Sequence, residues 1–334
     1  MAARESGRLE VRRGRLIKQV ADVHGLQVGD HLELEVSLAV EANVEGLDIY
    51  FGADGSASMR ASGAYGVAGG LFGFGSQPNQ VEQALHAIVP TLAQMDADHT
   101  CHVFYWTCGD IDAYRRNPMH WPKTIQVIGD IGLDQASSFP VPGPRKDGDG
   151  TDMVPALRHV VRTVRERLKS GNQIKAVLVP LFTDGVIHDT EYAIRYIHDE
   201  LAPAIERGDF PQTVIIMIGV GKEVDEEQLE EFSHEATPEG FSGREICCYG
   251  MASQFTELPQ ITAHLVAANT PAGTGGAKVL DDKGDVVRVY EDIIPTVVEF
   301  SLPLNARSFT IVATKSGTQF TQPIEVVEEG HDGR

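Results

Sequence analysis

Leu47-Asp48-Ile49-Tyr50-Phe51-Gly52-Ala53-Asp54-Gly55-Ser56-Ala57-Ser58-Met59 is a short apolar run that ends in a carboxylate and two hydroxyls at alternate positions. Seven residues of this kind are too few for a helix. Bounded by Gly and rich in aromatic and β-branched side chains, the run reads as a strand buried on both faces. The same signal returns at residues 102–107, 174–182, 213–218 and 245–249, and a further strand at 124–128 fits beside the second. Between these runs, residues 81–95, 153–169, 190–206, 226–235 and 253–268 carry helical periodicity. Strands alternating with helices predict a doubly wound, mostly parallel (Rossmann-like) α/β sheet with helices on both faces.

Outside this block the period changes. Leu32, Leu34, Val36, Leu38 and Val40 alternate with polar residues, the pattern of a half-buried strand. Thr270-Pro271-Ala272-Gly273-Thr274-Gly275-Gly276 is a breaker-rich linker. Beyond it, residues 279–289 read as a hairpin around Asp281-Asp282-Lys283-Gly284, with further strands at 297–302, 309–313 and 324–327. The expected organisation is therefore an N-terminal basic arm and strand (1–45), an α/β domain (46–269) and a small all-β, sandwich-like domain (277–328). The early strand is expected to pair with the last domain, which would make the α/β block an insertion.

The 334 residues are 42% hydrophobic and 23% charged, the balance of an ordinary globular chain, and hold no apolar run long enough for a bilayer. The net charge of −20 argues against a nucleic-acid partner, whose phosphates demand clustered positive charge. Only residues 1–18, with five Arg and a Lys, run against this, and they are expected to form a solvated tail. That segment lacks the apolar core of a secretory signal, and four cysteines make no disulfide framework, so a cytoplasmic location is expected.

Ligands of an open parallel sheet bind beyond the carboxyl ends of its strands. Three sets of oxygen donors stand there: Asp54, Ser56 and Ser58 after the first strand; Thr151, within Gly148-Asp149-Gly150-Thr151-Asp152-Met153, at the start of a helix; and Asp184, within Thr183-Asp184-Gly185, after another strand. Two carboxylates with a few neutral hydroxyls suit an octahedral Mg²⁺ or Mn²⁺ that keeps some water, whereas Ca²⁺ takes more ligands. In this order the three motifs resemble the metal-ion-dependent adhesion site (MIDAS) of von Willebrand factor A (VWA) domains, with its DxSxS, Thr and TDG elements. The resemblance covers residues 47–268. It implies that the serines touch the ion, that the aspartates reach it often through water, and that the ion recruits an acidic residue of a partner protein. Gln94-Met95-Asp96-Ala97-Asp98 and residues 150–157 look most like the bacterial tellurium-resistance type and the copines, which implies stress response or defence.

Each motif alone fits a capped turn, Thr151 for instance a helix N-cap, and it is their combination that favours metal. His99, Cys101, His102 and Cys108 fall mostly on a buried strand whose neighbours face opposite ways, and Cys247 and Cys248 alternate in the same manner, so neither set is expected to grip zinc. The Gly-rich residues 62–77 lack the Lys of a phosphate loop. Their Tyr65, Phe72 and Phe74 are expected to form an apolar contact surface beside the ion. Ser56 has no G-x-S-x-G elbow, and Asp54 has no second carboxylate two residues on, as an aspartyl phosphotransferase would. His188 is expected as an exposed residue at a helix start. The reading is a non-enzymatic, metal-dependent binding module acting as scaffold or adaptor, with a metal-assisted hydrolase or a subunit of an ATP-driven chelatase or remodelling machine as the alternative.

Overall fold

The structure, a computed structural model, describes residues 9–13, 20–38, 44–66, 78–241, 245–269, 272–291, 293–314 and 317–328. It divides into two units, one of residues 1–44 with 267–334 and one of residues 45–266. The chain opens with β1 (Leu9–Arg13), β2 (Val20–Val28) and β3 (His31–Leu38).

The α/β unit then runs β4 (Leu47–Asp54), α1 (Ala57–Ala61), α2 (Gln80–Met95), β5 (Thr100–Trp106), α3 (Ile111–Arg116), a 3-10 helix (Pro118–Thr124) and β6 (Gln126–Gly132). It continues through α4 (Val154–Lys169), β7 (Ala176–Thr183), α5 (Thr190–Tyr196), a π-helix (Ile197–Leu201), α6 (Ala202–Glu206), β8 (Gln212–Val220), α7 (Glu226–Glu235), β9 (Cys247–Ala252) and α8 (Leu258–Asn269). The six strands form one sheet in the order β6-β5-β4-β7-β8-β9, parallel except for β6, which pairs antiparallel with β5. Every residue of β4 and β7 is buried, as both faces are covered. On one face Tyr50, Phe104, Val179, Leu181 and Met217 pack with Leu157, Val160 and Val164 of α4, Ala193 of α5 and Leu229 and Phe232 of α7. On the other, Phe51 meets Phe182, and Gly250 of β9 leaves room for Leu265 of α8. From β4 the chain goes first to one side of the sheet and then, at β7, to the other. The order therefore reverses between these two strands, which opens a crevice at their carboxyl ends.

Local chemistry sets the boundaries. The side chain of Asn79 accepts from Glu82 N at 2.9 Å to start α2, and Asp225 accepts from Gln228 N at 3.1 Å to start α7. The helix expected over 190–206 is interrupted by the π-helix. Pro203 has no N–H for the carbonyl four residues back, so the turn before it widens. The last helix starts at Leu258 rather than Ser253, because Glu257 takes the Ser253 N–H at 2.8 Å in a preceding turn and Pro259 suits a first helical turn.

The other unit adds β10 (Gly273–Thr274), β11 (Ala277–Leu280), β12 (Val286–Tyr290), β13 (Ile293–Ile294), β14 (Val297–Pro303), β15 (Ser308–Ala313) and β16 (Gln319–Glu328). Its main sheets are β1-β16-β15-β11-β12 and β14-β3-β2, all antiparallel, beside a small β10-β13 pair. Leu32, Leu34 and Val36 of β3 and Phe300 of β14 share a core with Val279, Phe309 and Ile311, and Phe300 meets Phe309 edge-on at 5.0 Å. The alternation of β3 is thus the inner face of a sandwich. Of the basic arm the structure describes Leu9–Arg13, and these five residues form an edge strand on β16 in place of the expected solvated tail. Backbone pairing is indifferent to charge on side chains, and edge positions tolerate it. Among the described residues no helix is long and apolar enough to cross a membrane.

Candidate metal centre

Asp54 ends β4 and Thr183-Asp184 follows on its neighbour β7, with Ala53 and Phe182 in register. The sheet therefore brings the first and third loops side by side at the point where strand order reverses. The second loop is zipped onto the first: Ala57 N donates to Gly148 O at 2.9 Å and Gly148 N to Gly55 O at 3.3 Å. Gly55 is required by the closeness of the first loop to the end of β5, because a Cβ there would lie 2.5 Å from Cys108 Sγ and 3.0 Å from Trp106 O. The second and third loops are tied as well. Thr151 N donates to His188 Nδ1 at 2.9 Å and His188 N to Thr151 O at 2.8 Å, while Asp189 accepts from Met153 N and Val154 N at 2.5 and 2.9 Å to cap α4.

These links bring four of the five donors expected from the sequence into one continuous set. Ser56 Oγ and Ser58 Oγ lie 2.9 Å apart, and Ser58 Oγ donates to Asp184 Oδ1 at 2.7 Å. Asp54 accepts the Ser56 N–H at 2.7 Å. Thr151 is not bonded to this set but borders it at Gly185, where a Cβ would sit 3.7 Å from Ser58 Oγ and 3.8 Å from Thr151 Oγ1. Asp54, Ser56 and Thr151 are buried, Ser58 and Asp184 half-buried, so the set opens on the side of the last two.

The aspartates differ in their surroundings. Asp54 is fully buried, and both its oxygens are engaged, Oδ1 by Ser56 N and Thr107 Oγ1 (2.5 Å) and Oδ2 by Thr183 Oγ1 (2.6 Å). Burial pushes its pKa up to about 6 against these donors, and burial likewise raises that of Asp184. Among the described residues neither carboxylate has a Lys, Arg or His partner. Two carboxylates and three hydroxyls without a cation fit a small hard divalent ion. Asp54, already saturated by protein donors, suits a water-mediated role, and Asp184 and the hydroxyls direct contact. No three His, Cys, Asp or Glu side chains come together as a metal-binding group among the described residues, so the donor set is one of hydroxyls as much as acids.

Several residues that shape the site had no distinct sequence signal. Thr107 adopts φ 56°, unusual for a β-branched residue, and its hydroxyl reaches Asp54. Tyr65, expected on a contact surface, is instead buried: its hydroxyl donates to the Asp54 carbonyl and its ring meets Tyr105 edge-on. The apolar part of its side chain is what a sequence reading notices, whereas the buried hydroxyl needs a partner and finds it under the first loop. Phe72 and Phe74 lie outside the described residues. His188 is exposed and precedes α5, yet its ring holds the Thr151 loop. Arg115 grips Asp152 with two hydrogen bonds of 2.9 and 3.0 Å, and Arg60 pairs with Asp147, which leaves two half-exposed guanidiniums around the loops.

No family model and no curated protein matches the chain. Among solved structures it is similar to a von Willebrand factor type A protein from Catenulispora acidiphila, at 13% identity over 98% of this chain and 74% of that one, with a TM-score of 0.44. It is also similar to the pilus adhesin SpaC from Lactobacillus rhamnosus GG in an open conformation, at 12% identity over 95% of this chain and 47% of the adhesin, with a TM-score of 0.41. The chain thus spans about half the length of the adhesin. Both likenesses are distant, and the chemistry of the site rests on the residues of this chain.

Proposed function

We propose that the α/β unit is a VWA-type module whose MIDAS holds Mg²⁺ or Mn²⁺ through Ser56, Ser58, Thr151 and Asp184, with Asp54 acting through water, and uses it to bind an acidic residue of a partner protein. The observation that carries this reading is the unbroken set of oxygens at the crevice, containing two carboxylates that no basic side chain neutralises. With few charged ligands, a divalent ion there keeps affinity for an outside carboxylate. Arg60, Arg115 and the exposed Val186 around the loops favour an acidic partner with an apolar flank.

The module holds and does not cut. Ser56 and Ser58 are bonded to each other and Ser58 to Asp184, and the His188 nitrogen that faces the loops is already accepting from Thr151 N, so that imidazole is not placed to activate either hydroxyl. The role is that of a cytoplasmic scaffold or adaptor in stress response or defence. Supporting it are the tellurium-resistance flavour of residues 94–98 and 150–157 and four free cysteines. The test is calorimetry of Mg²⁺ and Mn²⁺ with the wild type and Asp184→Ala, followed by capture of partners from lysate with Mg²⁺ and with chelator. Heat lost in the variant and a chelator-sensitive partner are expected. Equal heats remove the metal site, and phosphoesterase turnover replaces the binding module with a hydrolase.

A further inference from the structure

On the flank of α4, away from the metal loops, Arg158, Arg162, Arg165 and Lys169 fall at helical spacings of four, three and four, and so share one stripe about 16 Å long. The stripe borders an open groove of about 320 Å³ lined also by Trp121 of the 3-10 helix and Tyr196 of α5. Two acids, Glu166 and Glu200, also line it, which leaves four cations against two anions. A second hollow of about 220 Å³ shares Arg158, Tyr196 and Glu200 and adds Arg195 and Asp199, extending the trough with five cations against three anions in all.

Three of the guanidiniums have an aromatic neighbour. Arg162 lies 5.1 Å from the Trp121 ring centroid, Arg158 5.7 Å from that of Tyr196 and Arg165 5.9 Å from that of Phe210. At these distances each guanidinium lies within cation–π reach of a ring while its N–H edges can still bond an oxyanion, which suits bidentate recognition. Arg162 has Glu166 at 3.3 Å, but Arg158, Arg165, Lys169 and Arg195 have no ion-pair partner among the described residues. This is notable in a chain with 48 acidic residues against 28 basic ones, where carboxylates to pair with are abundant. A long polyanion is disfavoured by the net charge, and the arginines beside Trp121 and Tyr196 compete with bases for those rings. What suits the groove is a compact ligand with several negative charges, and phosphate groups carry the most charge per volume.

We propose that the groove between α4, the 3-10 helix and α5 binds a small phosphate-bearing polyanion, an oligophosphate or the phosphate chain of a nucleotide, through Arg158, Arg165 and Lys169. The test is calorimetry with sodium tripolyphosphate, ATP and citrate at low ionic strength in chelator, so that the metal centre takes no part. Tripolyphosphate is expected to bind wild type and the distant control Lys278→Glu alike, and at least tenfold more weakly to Arg165→Glu and to the milder Arg165→Ala. Binding should also shift Trp121 emission as Arg162 moves, a signal lost in Trp121→Phe while the heat remains. Equal affinity for ATP and tripolyphosphate identifies the phosphate chain as the ligand, and tenfold tighter ATP identifies a nucleotide. No heat with either phosphate compound, citrate binding as tightly as both, or unchanged affinity in both Arg165 variants would overturn the proposal.

Discussion

Replacing Asp54 by Asn should make the metal-free protein more stable while removing its response to Mg²⁺. In the fold this carboxyl titrates at about 6 against an ordinary 3.8, and the largest cause is burial. The sign follows: a raised acid pKa means that the folded state disfavours the ionised form, so the penalty is full above pH 6 and disappears as pH falls below 3.8. About two units at roughly 1.4 kcal/mol each give a penalty of ~3 kcal/mol at pH 7.5. Asn removes the charge and keeps two of the three contacts, its oxygen still accepting from Ser56 N and Thr107, while the Thr183 hydroxyl must turn to Gly185 O, its second acceptor at 3.5 Å. For a unit of this size ~3 kcal/mol corresponds to a rise in Tm of up to roughly 6–12 °C. Wild type at a Mg²⁺ concentration of about one hundred times Kd should gain ~2.7 kcal/mol, and the variant none. The assay is thermal unfolding at pH 7.5 in chelator and in Mg²⁺. A variant less stable than wild type in chelator, or one that still shifts with Mg²⁺, refutes the reasoning. In chelator, wild type should also gain stability relative to the variant as the pH is lowered from 7.5 to 5.

Gly55→Ala should destabilise the α/β unit by about 1–3 kcal/mol through overpacking against Cys108, with partial recovery in Gly55→Ala/Cys108→Ala, as measured by urea unfolding. His159 is buried, its Nε2 lies 3.0 Å from that of His102, and burial lowers its pKa to about 3. The folded state therefore refuses a proton that the unfolded state takes up below pH 6.5, so wild type should lose roughly 1.4 kcal/mol per pH unit more than His159→Gln between pH 6 and 4. Parallel slopes would exclude this. Phe300→Ala should cost the β-sandwich about 3–5 kcal/mol by chemical denaturation. Calorimetric Mg²⁺ binding should persist in it, because the metal centre takes no residue from that unit.

The strands that carry the metal loops were legible because each is buried on both faces and ends in a turn whose residue types have few other uses. The α/β sheet and the sandwich face of β3 follow from period alone. Less legible was β2, where a bulge between Val20 and Asp22 and the central Gly25 disturb the alternation. The π-helix was missed because helical periodicity passes through Pro203 without announcing how the backbone will accommodate it. At the centre itself, Ser56, Ser58, Thr151 and the two aspartates stand out by spacing. Thr107, Thr183 and Tyr65, which hold Asp54, have no such spacing: the fold points the two threonine hydroxyls at its carboxylate and the Tyr65 hydroxyl at its backbone carbonyl.

Asp189 joins the third loop to the start of α4, and with His188 and Gly148 it closes the three loops into a ring with little slack. An ion entering this ring meets donors whose ordering entropy was spent when the chain folded, so its binding should be governed by radius more than by loop motion. A larger ion such as Ca²⁺, with its longer bonds and greater appetite for ligands, would have to break the ring to be satisfied. In a site that holds an ion as proposed, the same caps that start a helix would thereby act as a size filter for metals.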